Sequence, residues 1–235
     1  MKRRIIRWLF LRIPIGLVLA SLAAVTLLKW VPVRFTPLML KRAFQFREVN
    51  EYHSEQEWVS LEDVSPELRA AVIAGEDSRF YEHHGFDWRE IALVLSACGK
   101  GEDIPRGCST ISQQTAKNLF TFGTRTWARK AVEAWWTVWM ESIWGKDRIL
   151  EVYLNVVELG PGIYGVGAAT KEYFDAPPGK VGREDAATLA ACIPSPLVNR
   201  PGCLSPQARI RRRTIYERMG IISYICPRHV FLNDD

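Results

Sequence analysis

Residues 75–87 read GEDSRFYEHHGFD and place six carboxylate or imidazole side chains, two glycines and three aromatic rings within thirteen positions. Upstream, Ser65 and Pro66 are typical of a helix start, as N-cap and first helical residue. Glu76 is therefore expected at or just past the end of that helix. There the negative end of the helix dipole and the neighbouring Asp77 both disfavour a charged carboxylate. Such a group suits proton abstraction, although two surface acids that end a helix would give the same pattern.

A second carboxylate, Glu133, follows in the segment RKAVE at 129–133. Paired carboxylates are the usual equipment for chemistry at a sugar carbon. Arg129 and Glu133 also have the spacing of an ordinary helix salt bridge, which is worth about 0.3–0.5 kcal/mol. Arg125 and Lys130 add further positive charge next to this carboxylate.

A third group of residues lies between the two carboxylates. Ser109 or Thr110 can cap a helix on which hydroxyl, amide and ammonium groups recur at helical spacing, namely Ser109, Gln113, Gln114 and Lys117. One such face suits a polyol or phosphate ligand, and a helix with a polar outer face would look similar. Together, two carboxylates and several cations favour a transferase with a diphosphate leaving group, which needs both a base and a positively charged site.

Composition limits the remaining function classes. The chain has 235 residues, 48% of them hydrophobic, which is enough for one sizeable core. The formal net charge is +5, and five cations with no acid fall in the first twelve residues. The rest of the chain is close to neutral, so a nucleic-acid binder is not expected. Five scattered cysteines and four histidines lack metal-ligand spacing, so no metal site is predicted and His83 is expected to form hydrogen bonds.

The N-terminal segment is predicted to be a single membrane span. Ile13 to Leu28 carries no charge and covers about 24 Å as a helix, with Arg12 and Lys29 placed to snorkel. The positive-inside bias assigns 1–12 to a cytoplasmic basic tail, 13–33 to the transmembrane anchor and 34–235 to one domain on the outer side. A cleaved signal peptide with its cleavage site near Ser21 is the less favoured alternative.

The domain itself is predicted to be mainly α, because no alternating run of four or more positions stands out. After the helix that ends near Gly75, helices are expected at about 126–144, 146–155 and 184–192, and a glycine-rich turn at 160–167 is expected to open a further helix toward Phe174. Residues 99–107 are expected to form a mobile loop. The apolar residues of 35–58 could lie against the bilayer or pack into the core, and the sequence leaves both open.

These stretches, in this order, resemble the peptidoglycan glycosyltransferase family that polymerises lipid II, specifically its monofunctional biosynthetic members. The likeness runs from about Val59 to Met219. Its first two patterns match Glu76, Asp77, Phe80, His83, Gly85, Asp87, Gly107, Ser109, Thr110, Ile111, Gln113, Gln114, Lys117 and Asn118; later ones match Arg129, Lys130, Glu133, Tyr153, Asn155, Gly165 and Phe174. Cys108 departs from the pattern, which usually has glycine there. The Ser-x-x-Lys and Lys-Thr-Gly motifs of bifunctional relatives are absent, so no transpeptidase domain is expected.

The resemblance implies a lysozyme-like, mostly helical fold with a donor and an acceptor subsite. Glu76 would take the proton from the acceptor 4-hydroxyl, which displaces polyprenyl diphosphate with inversion. Glu133 would act at the donor site, by organising the diphosphate directly or through a divalent cation (Mg²⁺ or Mn²⁺), or by easing charge at the anomeric carbon. Implied substrate-binding residues are Asp77, Phe80, His83, Ser109, Thr110, Gln113, Gln114, Lys117, Asn118, Arg125 and Arg129.

The same resemblance implies partners and a location. Lipid II, the lipid-linked glycan chain and the membrane are the expected partners, and other cell-wall synthesis or division proteins are candidates. The expected location is the bacterial inner membrane with the domain on the periplasmic side. The rival interpretations are a lytic glycosidase of lysozyme type, which shares the fold and one glutamate, and an inert scaffold, against which the presence of both acids argues.

Overall fold

The described part of the protein is mainly helical, as predicted. The computed structural model describes residues 2–48, 52–100, 109–122 and 126–225, and Arg125, Cys108 and Cys226 lie outside them. Its elements are α1 (Lys2–Trp30), α2 (Pro37–Gln45), β1 (Glu55–Gln56), α3 (Pro66–Glu76), α4 (Trp88–Lys100), α5 (Ile111–Phe120), α6 (Trp127–Ile143), α7 (Lys146–Val156), β2 (Glu158–Gly160), β3 (Ile163–Tyr164), α8 (Gly165–Phe174), α9 (Arg183–Cys192) and α10 (Pro206–Ile225), with 3₁₀ turns at Leu61–Asp63 and Pro178–Lys180.

Capping side chains fix the starts of the helices that bear the candidate site. Ser65 Oγ accepts the amide of Leu68 at the start of α3. Thr110, and not Ser109, caps α5, and its side chain and that of Gln113 form a reciprocal capping box. Satisfying these first amides stabilises each helix start by about 1 kcal/mol and sets where the helix begins.

Helix α7 forms the centre of the core, and Ile149, Leu150 and Leu154 on it are fully buried. Helices α5 and α6 pack together, and α5 also packs on α7. On the other side α3, α9 and α10 pack against one another. The candidate site lies where these two groups of helices meet.

A small sheet was not predicted from the sequence. Its strand order is β1-β3-β2, with β1 parallel and β2 antiparallel to β3. Each strand has only two or three residues, which is too short for an alternating pattern to show. The prediction that a loop begins at Gly99 was also wrong, because α4 continues to Lys100. The rest of that expected loop lies outside the described residues.

Helix α1 contains the one candidate membrane span found in the described residues, Arg12–Trp30. Nineteen residues give about 28 Å of helix, close to the hydrocarbon thickness of a bilayer. The helix itself begins at Lys2, so the basic segment continues the same helix and is not a separate element.

Helix α1 is held to the rest of the chain by side-chain hydrogen bonds as well as by the connecting segment. Trp135 Nε1 donates to Ser21 Oγ at 3.0 Å, and Trp144 Nε1 donates to the carbonyl of Val25 at 2.7 Å. Arg148 donates to the carbonyls of residues 28 and 31 at 2.8 Å each. Helix α1 therefore packs along α6.

Helix α2 shows that neither alternative for residues 35–58, packing into the core or exposure toward a bilayer, holds for both of its faces. Met39 is buried, whereas Leu40 and Phe44 are exposed. Arg42 forms a bidentate ion pair with Glu158 of β2, with its shortest contact at 2.8 Å. One face of α2 thus joins the core while the other leaves apolar side chains at the surface.

Candidate active site

Glu76 is the last residue of α3, and its carboxylate is held from two sides. Arg211 Nη2 of α10 lies 2.6 Å from Glu76 Oε1. Gln114 Nε2 of α5 donates to Glu76 Oε2 at 2.7 Å. The charge of Arg211 offsets the negative end of the helix dipole and the charge of the neighbouring Asp77. This compensating cation was not predicted from the sequence.

Glu133 lies on α6 and is almost completely buried, with its side chain 1% exposed. Its carboxylate pairs with Arg129 Nη1 at 2.7 Å and with Lys130 Nζ at 3.0 Å. Lys130 Nζ also donates to Ser109 Oγ at 3.0 Å. The Arg129–Glu133 pair is therefore part of a partly buried network that reaches Ser109, just before α5, and not an ordinary surface salt bridge.

Lys117 lies between the two acids. Burial lowers the pKa of its ammonium group, while the nearby carboxylates of Glu133 and Glu76 act in the opposite direction. Within the described residues its Nζ has no hydrogen-bond or ion-pair partner. A largely buried cation without a partner is suited to bind an anion that enters the site.

The two acids face cavities that share one wall. A cavity of about 460 Å³ is lined by Lys117, Arg129, Lys130 and Glu133, and one of about 600 Å³ by Glu76 and Arg211. Ser109, Gln114 and Pro194 line both cavities. A single extended ligand can therefore contact Glu76 at one end and the cations at the other.

Four predicted binding residues lie behind this cleft. Phe80 is fully buried in the core and Asp77 and His83 are buried beside it, with His83 Nε2 3.0 Å from the Asp77 carboxylate. Asp77 also accepts the amide of Ile111 at the start of α5, at 3.0 Å. Thr110 is buried at the cap of that helix. These contacts join the end of α3 to the start of α5, so they fix Glu76 relative to Gln114; contact of these four with a substrate stays a prediction.

Comparison with known proteins identifies the family. A family model described as Transglycosylase matches residues 43–220. The chain belongs to the transglycosylase family. It is 45% identical over 194 residues to a biosynthetic peptidoglycan transglycosylase of Shewanella oneidensis, an alignment that covers 83% of this chain and 82% of that relative. It is 43% identical over 216 residues to one of Aeromonas hydrophila, covering 92% and 91%.

The family assignment confirms the resemblance seen in the sequence, and the structure locates most of the matched residues. Gln113 and Asn118 join Lys117 and Arg129 on the wall of the smaller cavity. Arg125 lies outside the described residues. Other residues of the 75–87 stretch have local roles that do not need a substrate.

Asp87 and Gly85 illustrate those local roles. Asp87 pairs with Arg79 at 2.9 Å and accepts the amides of Arg89 and Glu90 at the start of α4. Gly85 has φ +86, and a Cβ there would lie 2.7 Å from a methyl group of Thr137. Several side chains of residues 75–87 of the transglycosylase therefore shape the loop that joins the end of α3, where Glu76 lies, to α4 and to the start of α5.

The surroundings of Glu133 do not fit a divalent cation held by protein ligands. Its carboxylate is already paired with two cations, and Lys117 adds a third positive charge nearby. Among the described residues, no three His, Cys, Asp or Glu side chains are grouped so that they could hold a metal ion. Arginine and lysine can supply the positive charge directly.

Arg211, and the residues on α2 and just after α9 that line the cleft, were not predicted from the sequence. Lys41 and Arg42 of α2, together with Pro194 just after α9, line the smaller cavity. A signal for Arg211 was available, because Ala208, Ile215, Met219 and Ile222 are spaced as the buried stripe of a helix and Arg211 falls on that stripe.

Proposed function

We propose that this transglycosylase is a membrane-anchored peptidoglycan glycosyltransferase that polymerises lipid II into β-1,4-linked glycan strands and releases polyprenyl diphosphate. The observation that carries the proposal is the shared wall of the two cavities, which supports a single ligand path past Glu76 and the cation cluster of Lys117, Arg129 and Lys130. The relatives at 43–45% identity are named biosynthetic peptidoglycan transglycosylases, which supports the same polymer as the product.

In this proposal Glu76 is the general base. The 4-hydroxyl of the acceptor lipid II attacks the anomeric carbon of the lipid-linked chain and gives its proton to the Glu76 carboxylate. A new C1–O bond forms on one face as the C1–O bond to the diphosphate breaks on the other, so the configuration inverts. Arg211 and Gln114 hold the carboxylate in place throughout.

The cation cluster receives the leaving group. As the bond to C1 breaks, negative charge grows on the diphosphate, and Lys117 is available to bind it because it has no partner within the described residues. Arg129 and Lys130 are held by Glu133 at 2.7 and 3.0 Å. We assign to Glu133 the role of orienting these two cations, which its burial and pairing support better than a direct role at the anomeric carbon.

The anchor completes the proposal. The candidate span Arg12–Trp30 would hold the enzyme in the inner membrane with its domain on the periplasmic side, where the polyprenyl tails of both substrates remain in the same bilayer. The exposed Leu40 and Phe44 of α2 lie on the element that also lines the smaller cavity, which supports a site close to the lipid surface. Partners among cell-wall synthesis or division proteins stay a prediction.

Incubation of the full chain with lipid II tests the proposal. We expect glycan polymer in the wild type and none in Glu76→Gln, which should still fold, with a melting temperature lowered only by loss of the charge that pairs with Arg211. Glu67→Gln is the matched control, because Glu67 is an exposed acid in the first turn of the same helix. Solubilisation of finished cell wall without polymer formation would show instead a lytic glycosidase.

A further inference from the structure

A chain of hydrogen bonds reaches Glu76 through Gln114 from the centre of the core. The hydroxyl of Tyr153 on α7 donates to Gln114 Oε1 at 3.0 Å, and Gln114 Nε2 donates to Glu76 Oε2 at 2.7 Å. Tyr153 is fully buried, and this burial raises the pKa of its phenol well above the ordinary value. The hydroxyl therefore stays protonated and acts as a donor.

The Glu76 carboxylate determines which way the Gln114 amide faces. A glutamine side chain has one accepting end and one donating end, and an ionised carboxylate only accepts. The amide nitrogen must therefore face Glu76, which leaves the amide oxygen facing α7, where the Tyr153 hydroxyl donates to it. Rotation of the amide by half a turn would set its oxygen against the carboxylate and would leave the Tyr153 hydroxyl without its acceptor.

The opposite side of the carboxylate is held by α10. Arg211 Nη2 lies 2.6 Å from Glu76 Oε1 and donates to the carbonyl of Gly75 at 2.7 Å, so one guanidinium nitrogen holds both the backbone and the side chain at the end of α3. The two helices are in close contact at this point, since a Cβ on Gly75 would lie 3.0 Å from Ile215 Cδ1. A side chain at position 75 would therefore displace Ile215 of α10.

We propose that Arg211 and Tyr153 are positioning residues that fix the orientation of the Glu76 carboxylate for proton transfer. The proposal rests on the assignment of Glu76 as the base. Each carboxylate oxygen has two accepting directions, and the Arg211 and Gln114 contacts use one on each oxygen. The carboxylate cannot rotate without breaking one of these contacts, so its remaining directions are set before the acceptor hydroxyl arrives.

Steady-state polymerisation of lipid II by the full chain tests this role. We expect Arg211→Ala to lower kcat by about 10²-fold, the scale of a misplaced catalytic group, with KM within about twofold of the wild type. Arg211→Lys should recover part of the loss, because it keeps the charge without the planar fork. Added guanidinium should raise the rate of Arg211→Ala. Tyr153→Phe should lower kcat by about fivefold, the equivalent of one neutral hydrogen bond.

The control is Arg213→Ala, which removes an exposed arginine of the same helix whose partner is Glu217. It should leave kcat unchanged. A folded Arg211→Ala protein with wild-type kcat, or with a raised KM and an unchanged kcat, overturns the proposal. Should Arg211→Ala fail to fold, wild-type kcat in both Arg211→Lys and Tyr153→Phe overturns it equally. Failure of the wild type to form any polymer would count against the proposed function itself.

Discussion

The variant Glu133→Gln tests whether the ion pairs of Glu133 only stabilise the fold or also organise the donor site. The change removes the charge of a carboxylate that is 1% exposed and paired with Arg129 and Lys130. Loss of one partner of a fully buried pair costs about 3–5 kcal/mol, and loss of an exposed pair about 0–1 kcal/mol. The partners are 18% and 40% exposed, so we expect an intermediate cost.

That intermediate cost is about 2 kcal/mol, which corresponds to a melting temperature lowered by roughly 4–8 °C in a domain of this size. The polymerisation rate should fall by more than the loss of folded protein alone would cause. With Glu133 neutralised, Arg129 and Lys130 lose the group that orients them, and misplacement of this kind costs about 10²-fold in kcat. The local positive charge on Lys117 and these two cations is no longer offset, so KM for lipid II should not rise.

The assay is polymerisation of lipid II at several substrate concentrations, alongside thermal unfolding in the same detergent. Glu151→Gln is the control, because Glu151 pairs with Arg148 at 2.6 Å on α7 and lines neither cavity of the site. It should lower the melting temperature and leave kcat unchanged. A Glu133→Gln protein in which KM rises several-fold at constant kcat would refute the orienting role, and a wild-type rate would refute any role in the reaction.

Burial lowers the pKa of Lys117 below its ordinary value of 10.5, so its charge is lost at a lower pH than that of a free lysine. The polymerisation rate should therefore fall on the alkaline side of a pH–rate profile. Lys117→Arg should move that fall to higher pH. An identical alkaline fall in both proteins would assign it to another group. Removal of 1–33 should lower the melting temperature of the domain, because Trp144 loses its bond to the carbonyl of Val25, at a cost of about 1–3 kcal/mol. Trp144→Phe in the full chain loses the same bond, and an unchanged melting temperature in both variants would show that the contact contributes nothing.

Local signals in the sequence were sufficient for most helices. The N-cap residues Ser65 and Thr110 use side chains within three positions of the amides they satisfy, so their effect can be predicted without the fold. The β1–β3 pairing joins Glu55 to Ile163, more than a hundred residues away, and strands of two residues have no local signature. The sheet therefore could not be predicted.

The candidate site divides in the same way. Glu76 and Glu133 stand out by type and spacing, and the structure brings both to one cleft. Burial is what the sequence could not assign, since Asp77 and His83 pair with each other behind the cleft wall although they lie close to Glu76 along the chain. Arg211 reaches Glu76 across 135 positions. The apolar spacing of α10 places Arg211 on the buried face of that helix, but only the packing of α10 on α3 decides that its partner is Glu76.

Helix α6 carries Glu133 on one face and, on another, donates through Trp135 to Ser21 of the anchor helix. Side-chain contact between α6 and α1 thus fixes the position of Glu133 relative to the candidate span, and the length of the connecting segment 31–36 does not determine that position. Lengthening that segment would leave Glu133 at the same position relative to α1, whereas breaking the contacts between α1 and α6 would let the candidate site and the span move independently of each other.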